Sequence, residues 1–473
     1  ITGGEGNDTL TGGAGNDELL EGAGSGSITG GAGNDTITAG TGFDTIDAGE
    51  GDDTIIMGTN MSISDSVVGG LGNDTLTATV SSATSNQKIG TLTGVENGTI
   101  LFDQTSGSFD ASGSITAFTV SPVDENDTIS ITNLTSSQTV KVVEDAVENI
   151  GSLTLDYAND ATATIEIEDA HDTGAVVITD AQTVNITSTG GAATAIGTVT
   201  LDATANSTGA GGTDTLTIDV NTASSATTQT GAFEADVVKN VTLTTSSTGA
   251  ALSMGVGSYF INDAPELETL TLNAGGGGDT ADDSDITITA LGGTVAADEL
   301  TSISFTAADG ADITTGAIDA TGATLTSITA TASTTGSDIE IGGAITASSL
   351  TTLTASAVSG ATVDFSNDLD IGSIGTINLS GAGTIALSDD NSVITTLERI
   401  DASGTSGAVT IDMSATVGAV EYTLGTGTNI LTTGKGNDTI TLASADGTDQ
   451  INQNETGALG QTVTIYNFQA GTA

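Results

Sequence analysis

The first 77 residues of the chain contain a nine-residue motif in which glycine, aspartate and threonine recur at fixed positions. Its copies occupy residues 3–11, 12–20, 21–29, 30–38, 39–47, 48–56 and 69–77. Glycines allow tight turns that bring backbone carbonyl oxygens inward, and the aspartate at the sixth position adds a carboxylate. Such a dense set of oxygen atoms suits calcium, whose coordination shell is more flexible than that of magnesium. The chain has no cysteine and one histidine to offer a softer metal.

We therefore predict that the motif binds Ca²⁺ through its aspartates and through the glycines of its turns. Residues 433–441 repeat the motif near the other end of the chain, with Asp438 at the sixth position. The predicted ligands are Asp8, Asp17, Asp35, Asp44, Asp53, Asp74 and Asp438, with Gly4, Gly6, Gly13, Gly15, Gly31, Gly33, Gly49 and Gly51. The alternative is a flexible linker rich in glycine, asparagine and aspartate. A linker is not expected to keep six consecutive copies in one register with an apolar residue in each.

The spacing of the copies also predicts how calcium is shared between two edges of the structure. If two copies form one coil, alternate copies lie on the same edge. One edge then carries Asp17, Asp35 and Asp53, and the other carries Asp8, Gly26 and Asp44. Because Gly26 stands where an aspartate is expected, we predict tighter calcium binding along the first edge than around the third copy.

Short β-strands must position these turns. A threonine-rich tripeptide with a central leucine or isoleucine follows most of the aspartates, and strand alternation points that apolar residue into a narrow core. Farther along, two apolar residues three positions apart recur, and the last five pairs are 25, 25, 24 and 23 residues from one another. A constant period of this kind predicts a solenoid. The pairs are Ile196/Val199, Val238/Val241, Leu267/Leu270, Leu300/Ile303, Leu325/Ile328, Leu350/Leu353, Ile374/Ile377 and Leu397/Ile400.

We predict an all-β chain in which a parallel β-roll continues into an elongated β-solenoid. Residues 1–77 form the calcium-binding β-roll, 78–195 an irregular β region, 196–424 a β-solenoid with a period of roughly 23–25 residues, and 425–473 a second segment of the opening motif. Acidic corners in the solenoid are either solvated loops or further calcium sites; they contain Asp279, Asp282, Asp283, Asp285, Asp309 and Asp312. Because the chain begins in the middle of a motif copy, we expect it to be a piece of something longer.

Acidic residues dominate the charge of the chain, with 61 Asp and Glu against five Lys and Arg and a net charge of −56. Such a field excludes nucleic acid and anionic membrane surfaces as direct partners, and it makes the compact chain self-repelling unless cations condense on it. Calcium that binds only the folded chain stabilises it by mass action, so we expect calcium-dependent folding. A calcium-rich compartment implies an extracellular location. No transmembrane run is visible in the sequence.

The copies that read Gly-Gly-x-Gly-Asn-Asp-Thr-Leu/Ile resemble the RTX (repeats-in-toxin) family of calcium-binding proteins. Together with the long Thr/Ala/Ser-rich ladder and the RTX-like segment at 425–473, the chain is similar to the calcium-dependent surface-layer (S-layer) proteins of Gram-negative bacteria such as Caulobacter. The resemblance implies export by a type I secretion system, folding on extracellular Ca²⁺ and self-assembly into a lattice. The chain departs from the family pattern at Gly26 and Asn429, which replace aspartates, and at the interruption 57–68.

We interpret the chain as a structural cell-surface protein and not as an enzyme. With His171 as its only histidine it cannot build a zinc site of several histidines, and it has no tryptophan to form a sugar-binding platform. The expected partners are further copies of the chain, and a cell-surface polysaccharide or lipopolysaccharide contacted through a part outside this sequence. The alternative function is that of an RTX adhesin or an extracellular filament or biofilm protein. Five cations are too few to join a lattice by salt bridges, so we expect calcium to bridge carboxylates between chains.

Overall fold

The computed structural model describes most of the chain and shows only β-strands in it. The described residues are 1–81, 86–103, 106–123, 127–143, 150–168, 172–190, 195–196, 199–201, 215–222, 227–230, 233–234, 238–245, 251–254, 267–275, 285–288, 300–320, 324–367, 369–371, 373–389, 394–443, 449–453 and 462–467. Neighbouring strands pair in parallel throughout these residues, as threonine, valine and isoleucine at alternating positions favour. No helix that could cross a membrane occurs in them. The predicted all-β class is confirmed.

The strands belong to two compact units, Ile1–Thr213 and Asp214–Ala473. The division into four regions stays a prediction. The described residues of the first unit form 21 strands, which are β1 Thr2–Glu5, β2 Thr9–Ala14, β3 Glu18–Ala23, β4 Ser27–Ala32, β5 Thr36–Thr38, β6 Thr45–Glu50, β7 Thr54–Gly58, β8 Ser66–Leu71, β9 Thr75–Val80, β10 Asn86–Gln87, β11 Thr91–Thr93, β12 Asn97–Phe102, β13 Ser106–Asp110, β14 Ala117–Pro122, β15 Asp127–Leu134, β16 Thr139–Val143, β17 Ile150–Glu168, β18 Asp172–Thr173, β19 Ala175–Gly190, β20 Ala195–Ile196 and β21 Val199–Leu201.

The opening motif forms a parallel β-roll in which two copies make one coil. β1, β3, β5, β7 and β9 pair in succession on one side, and β2, β4, β6, β8 and β11 pair on the other. Gly13 lies opposite Gly31, and Gly31 lies opposite Gly49, so equivalent residues stack on one another. Each coil places one leucine or isoleucine of each strand in the core, and Leu19 and Ile28 are fully buried there. The predicted stacking of alternate copies is therefore confirmed.

Parallel coils also occupy the described residues between 86 and 190, within the range predicted to be irregular. β9, β12, β14 and β16 pair in succession, and Thr99 lies opposite both Thr77 and Thr119. The strands keep their register except at local shifts, one of them between Asp127 and Thr128. The core is wider here than in the β-roll and holds three phenylalanines, Phe102, Phe109 and Phe118, the last two packed edge to face with ring centroids 6.0 Å apart.

In the second unit the residues that the structure describes form 25 further strands. They are β22 Thr215–Thr222, β23 Thr227–Thr230, β24 Phe233–Glu234, β25 Asn240–Thr245, β26 Ala251–Met254, β27 Thr269–Ala274, β28 Ile286–Ile288, β29 Ser302–Ala307, β30 Ile313–Thr315, β31 Ile318–Asp319, β32 Ser327–Ala332, β33 Asp338–Ile341, β34 Ile345–Ala347, β35 Thr352–Ala357, β36 Thr362–Phe365, β37 Leu369–Ile371, β38 Thr376–Gly381, β39 Thr384–Ser388, β40 Arg399–Thr405, β41 Val409–Asp412, β42 Glu421–Thr423, β43 Asn429–Thr433, β44 Thr439–Thr441, β45 Gln450–Gln453 and β46 Thr464–Tyr466.

The apolar ladder read from the sequence is the core of this unit. Its second members stack in register along β29, β32, β35, β38 and β40, in the order Ile303, Ile328, Leu353, Ile377 and Ile400. The first member of each of these pairs is buried as well. One coil therefore takes 23 to 25 residues, as the sequence spacing predicts, and the solenoid is confirmed. Of the earlier pairs, the side chain of Ile196 lies outside the described residues.

Candidate calcium-binding site

The glycines predicted as ligands all adopt a backbone conformation that other residues resist. Their φ angles lie between 105° and 127°. At Gly31 the position has a second constraint, because a Cβ atom there would collide with the carbonyl oxygen of Gly13 on the preceding coil. Glycine at these positions thus allows both the turn and the close stacking of one turn on the next.

An inner row of carboxylates runs along the first edge. The backbone N–H of Asp17 donates to Asp35 Oδ1 at 2.8 Å, that of Asp35 to Asp53 Oδ1 at 2.7 Å, and that of Asp53 to Asp74 Oδ1 at 2.8 Å. Each aspartate thus fixes the turn before it with one oxygen. The structure brings together the three aspartates predicted for this edge and adds Asp74 to them.

In six aspartates of the motif, four of which belong to this row, the second carboxylate oxygen is buried and has no hydrogen-bond partner. These oxygens are Oδ2 of Asp8, Asp17, Asp35, Asp53, Asp74 and Asp438. A buried carboxylate oxygen without a partner is costly, and it points to a cation as the missing partner. Asp44 differs from them, since its Oδ2 accepts a hydrogen bond from the backbone N–H of Gly40 at 3.1 Å.

The first glycine of a copy leaves open the space next to the unbonded oxygen. A Cβ atom added at Gly12 would lie 2.7 Å from Asp17 Oδ2 and 2.6 Å from the carbonyl oxygen of Gly30 on the following coil. A carboxylate oxygen and a carbonyl oxygen of two successive turns therefore border one space that no side chain fills. Gly30 and Asp35 repeat the arrangement one coil later. Oxygen ligands around such a space fit a hard cation such as Ca²⁺.

An outer row of side chains links the same turns in the opposite direction, because each of them accepts a backbone N–H from the following coil. The backbone N–H of Asn34 donates to Asn16 Oδ1 at 3.0 Å, that of Asp52 to Asn34 Oδ1 at 3.1 Å, and that of Asn73 to Asp52 Oδ1 at 2.9 Å. These residues precede the inner aspartates by one position and are exposed. The Asn-Asp pair of the motif thus separates two tasks, since the asparagine side chain bonds the coil after it and the aspartate side chain bonds the coil before it with its first oxygen, which leaves the second oxygen for a cation.

The electrostatics of the first edge favour the arrival of positive charge. Burial raises the pKa of Asp53, and the carboxylates of Asp74 and Asp35 on the neighbouring coils raise it further. Burial also raises the pKa of Asp74, with Glu96 as the charged residue that raises it most. The first lysine or arginine of the whole sequence is Lys88, so no side chain of residues 1–81 supplies a compensating cation. Only bound cations or protons can neutralise these carboxylates.

Two ladder residues were missed by the sequence reasoning. On the second edge the N–H of Asp44 donates to Asp65 Oδ1 at 2.9 Å, and on the first edge the N–H of Asp74 donates to Glu96 Oε2 at 2.9 Å. Asp65 lies inside the interruption 57–68. A signal for it was present, because Asp65-Ser66-Val67 followed by Gly69 has the aspartate and apolar spacing of the motif. Glu96 has no such signal, since no motif copy surrounds it.

The interruption 57–68 lengthens one coil, and the rows of aspartate hydrogen bonds on both edges continue across it. Asp35 and Asp53 are 18 residues apart, whereas the partners Asp44 and Asp65 are 21 residues apart. The extra residues form a loop that Asp65 closes, because its Oδ2 accepts the N–H of Ser62 at 2.6 Å. Both oxygens of Asp65 are therefore hydrogen-bonded, and it ends the row on the second edge without an oxygen left for a cation.

The second segment of the motif has one turn with an aspartate at the sixth position and one turn with an asparagine there. Asp438 Oδ1 accepts the N–H of Val420 at 2.9 Å, and its Oδ2 is buried without a partner, as in the opening copies. Asn429 instead donates from Nδ2 to the carbonyl oxygens of Gly425 and Gly427, at 3.2 and 3.1 Å. The same Nδ2 also donates to Asp449 Oδ1 at 2.8 Å, while Asn429 Oδ1 is buried without a partner.

The acidic corners of the second unit are hydrogen-bonded to backbone. Asp312 N–H donates to Asp285 Oδ1 at 2.9 Å, and Asp338 N–H donates to Asp312 Oδ1 at 2.7 Å. Residues 279, 282 and 283 lie outside the described residues, and so does His171. In the described part of the chain no group of three or more acidic or histidine side chains could hold a metal by side chains alone. Calcium in the β-roll would therefore depend on backbone carbonyl oxygens as well as on the aspartates.

Comparison with known protein families identifies the motif. The family model for the RTX calcium-binding nonapeptide repeat matches four copies, at residues 1–28, 29–58, 63–79 and 423–451. The aspartates of the motif with a buried, unbonded Oδ2 all lie within the matches, and so does Asp65. No curated protein and no solved structure matches the chain.

Proposed function

We propose that this chain, which belongs to the proteins with RTX calcium-binding nonapeptide repeats, is a secreted structural protein of the cell surface. In this proposal it leaves the cell unfolded by a type I secretion system, folds when it meets extracellular Ca²⁺, and assembles with further copies of itself into a surface-layer lattice. The observation that carries the proposal is the row of buried aspartates, each with one oxygen bonded to backbone and one oxygen left without a partner.

Calcium acts here by stabilising the folded chain and not as a reagent. When bound, it supplies two positive charges to oxygen atoms that the fold has removed from water. The chain does the rest. Asp35 and Asp53 hold the turns by accepting backbone N–H groups, and a glycine at the first position, as at Gly12 and Gly30, keeps the space beside the carboxylate open. Without a cation the stacked carboxylates repel one another across coils, which favours the unfolded chain in a calcium-poor cytoplasm.

The few positive side chains support the idea that cations join copies of the chain. Lys88 contacts Asp110 at 3.3 Å, Lys141 contacts Glu168 at 2.6 Å, and Arg399 contacts Asp401 at 2.8 Å. These cations are already paired within the chain. A neighbouring copy would therefore meet mainly carboxylates, and divalent cations between carboxylates of two copies are the contact that such surfaces favour.

The outer faces of the second unit have the chemistry of a packing surface. Along β29, β32, β35 and β38 the residues that alternate with the buried ladder are serine, threonine and asparagine. Such faces are polar, regular and low in charge. They suit many modest contacts repeated over a lattice, and they carry no cluster of catalytic groups among the described residues. We propose accordingly that the chain is not an enzyme, and that a cell-surface polysaccharide or lipopolysaccharide anchors it through another part of the protein.

Electron microscopy of the purified chain with calcium and with chelator tests this function. We expect ordered sheets that form with calcium and dissolve in chelator. A variant with Asp17→Asn, Asp35→Asn and Asp53→Asn should form no sheets, whereas a control with Asp47→Asn, Glu50→Gln and Asp52→Asn, which loses the same charge from outward positions, should form them. Folded monomers at every calcium and protein concentration would refute lattice assembly, and binding of such monomers to a host or ice surface would favour the adhesin. Linear fibres in place of sheets would favour the extracellular filament.

A further inference from the structure

The third copy of the motif has exchanged the residue types of two positions. Glu21 occupies the first position, where the other copies have glycine or alanine, and Gly26 occupies the sixth position, where they have aspartate. The sequence motif assigns this copy no carboxylate ligand at the sixth position. The structure shows that a carboxylate is present, because Glu21 reaches into the space that an aspartate at position 26 would fill.

The side chain of Glu21 and a side chain at position 26 could not be accommodated together. A Cβ atom added at Gly26 would lie 2.5 Å from Glu21 Cγ, 3.1 Å from Cδ and 3.2 Å from Oε1. The regular copies show the reverse relation, since a Cβ atom added at Gly12 would lie 2.9 Å from the Cβ and 2.7 Å from the Oδ2 of Asp17. One space in each turn thus receives one acidic side chain, which enters from position six in the regular copies and from position one in the third copy.

The carboxyl group of Glu21 is in the same state as those of the aspartates that have a free oxygen. Glu21 is 0% exposed, and neither Oε1 nor Oε2 has a hydrogen-bond partner. The group lies between two turns of the second edge, because a Cβ atom at Gly40 would overlap Oε2 and would lie 2.8 Å from the carbonyl oxygen of Gly22. The charged groups that act on it are Asp44 and Asp8, and both are negative.

The turn that faces Glu21 is also built differently. The second and fourth positions of the other copies have glycines in the left-handed region, but Gly40 and Gly42 of the fifth copy do not adopt it. This turn leaves the room that the longer Glu21 side chain occupies, since Oε2 lies where a side chain at position 40 would begin. The exchange in the third copy and the altered turn of the fifth copy are two observations on the same space.

We propose that Glu21 is a ligand for a hard divalent cation, Ca²⁺, between the third and fifth copies, together with the carbonyl oxygen of Gly22. The second edge then has a cation site where position six has none. The prediction of weaker binding around the third copy assumed that this turn has no carboxylate because residue 26 is glycine. In this proposal Glu21 supplies the carboxylate from another position. The inference rests on the proposed calcium-dependent folding of the repeats, and it adds a ligand that the motif itself does not specify.

Calcium stoichiometry of the full chain tests the assignment. Equilibrium dialysis followed by metal analysis should show that Glu21→Gln, which keeps the shape and removes the charge, binds one Ca²⁺ fewer than the wild type or binds it at least tenfold more weakly. Glu18→Gln, an exposed change of the same type three residues away, should leave stoichiometry and affinity unchanged. The exchange variant Glu21→Gly with Gly26→Asp, which restores the regular motif, should bind as many ions as the wild type.

Thermal unfolding provides a second measurement that does not depend on counting ions. Gly26→Asp alone should lower the Tm with calcium, because its side chain collides with Glu21, and the added Glu21→Gly should restore it. If Glu21→Gln binds calcium with wild-type stoichiometry and affinity, Glu21 is a buried space-filling residue and the inference is wrong while the function stands. If the wild type itself binds no calcium, the proposed function fails together with it.

Discussion

Replacing one inner aspartate by asparagine should have opposite effects on stability without and with calcium. In Asp35→Asn, Oδ1 remains to accept the N–H of Asp17, and the unbonded Oδ2 becomes an amide group. The chain has an asparagine at the same position of another copy, Asn429, whose Nδ2 donates to the carbonyl oxygens of Gly425 and Gly427 and to Asp449 Oδ1. We therefore expect the variant to be more stable than the wild type in chelator and less stable in calcium.

The size of each effect follows from the stacking of the coils. Parallel strands of successive coils are about 4.8 Å apart, and two like charges about 5 Å apart repel by about 3 kcal/mol at an effective dielectric of about 20. Asp35 has Asp53 on the next coil, and its charge contributes to the raised pKa of Asp53. A neutral acceptor for the N–H of Asp17 costs about 1 kcal/mol. We expect a net gain of about 2 kcal/mol in chelator.

In calcium the lost carboxylate oxygen should weaken the neighbouring ion by about 100-fold, or about 2.7 kcal/mol at saturation. Urea unfolding in chelator and in millimolar calcium measures both differences. Asp52→Asn is the matched control, because it removes one charge from the adjacent position of the outer row, where Asn16, Asn34 and Asn73 already occur. It should change the response to calcium little. If Asp35→Asn destabilises the chain equally in both solutions, the free oxygen is not a calcium ligand.

Three further outcomes are expected. Gly31→Ala should lower the free energy of unfolding by at least about 2 kcal/mol in calcium, because φ is 124° there and the added Cβ collides with the carbonyl oxygen of Gly13. Circular dichroism on heating should show a lower Tm. An unchanged Tm would contradict the close stacking of these two turns. In chelator, stability should rise as the pH falls from neutral towards the ordinary carboxyl pKa of 3.8, because the raised pKa values of Asp53 and Asp74 mean that the folded chain takes up protons before the unfolded chain does. With calcium the same acidification should destabilise the folded chain, since protons displace the metal. Urea unfolding at a series of pH values measures both dependences. Leu353→Ala should cost about 2–5 kcal/mol equally with calcium and with chelator in urea unfolding, because this fully buried residue lies in the apolar ladder of the second unit; a calcium-dependent cost would argue against an independent apolar core.

The sequence was sufficient for the features that repeat. The 18-residue coil follows from the two-copy register, and the ladder from Ile303 to Ile400 follows from a constant period, because stacked parallel strands reward the same residue type at the same position of every coil. The inner aspartates and the left-handed glycines were found for the same reason. These residues are recognisable because each has identical neighbours one coil before and one coil after it.

Features that occur once could not be read in the same way. Asp65 is separated from its partner Asp44 by 21 residues, so a fixed period does not find it, and Glu96 ends its row outside any motif copy. The parallel coils between 86 and 190 have wide cores with phenylalanines and shifts of register, which blur the alternation of buried and exposed residues. In such places the pairing is set by contacts between coils, and those are visible only in three dimensions.

The departures from the motif show that a polar side chain of another type can take the place of the sixth-position aspartate in a turn. At Asn429 the amide nitrogen donates to two turn carbonyls and to Asp449 Oδ1, and the amide oxygen is buried without a partner. At Glu21 the carboxylate enters from the opposite end of the turn, and the need for a cation is kept, because both of its oxygens are buried without a partner. Both copies lack the aspartate at position six, yet both keep a buried side-chain oxygen without a partner. The identity of the sixth residue is therefore a poor guide to occupancy, and the better criterion is whether any side chain in the turn leaves a buried oxygen that only a cation can satisfy.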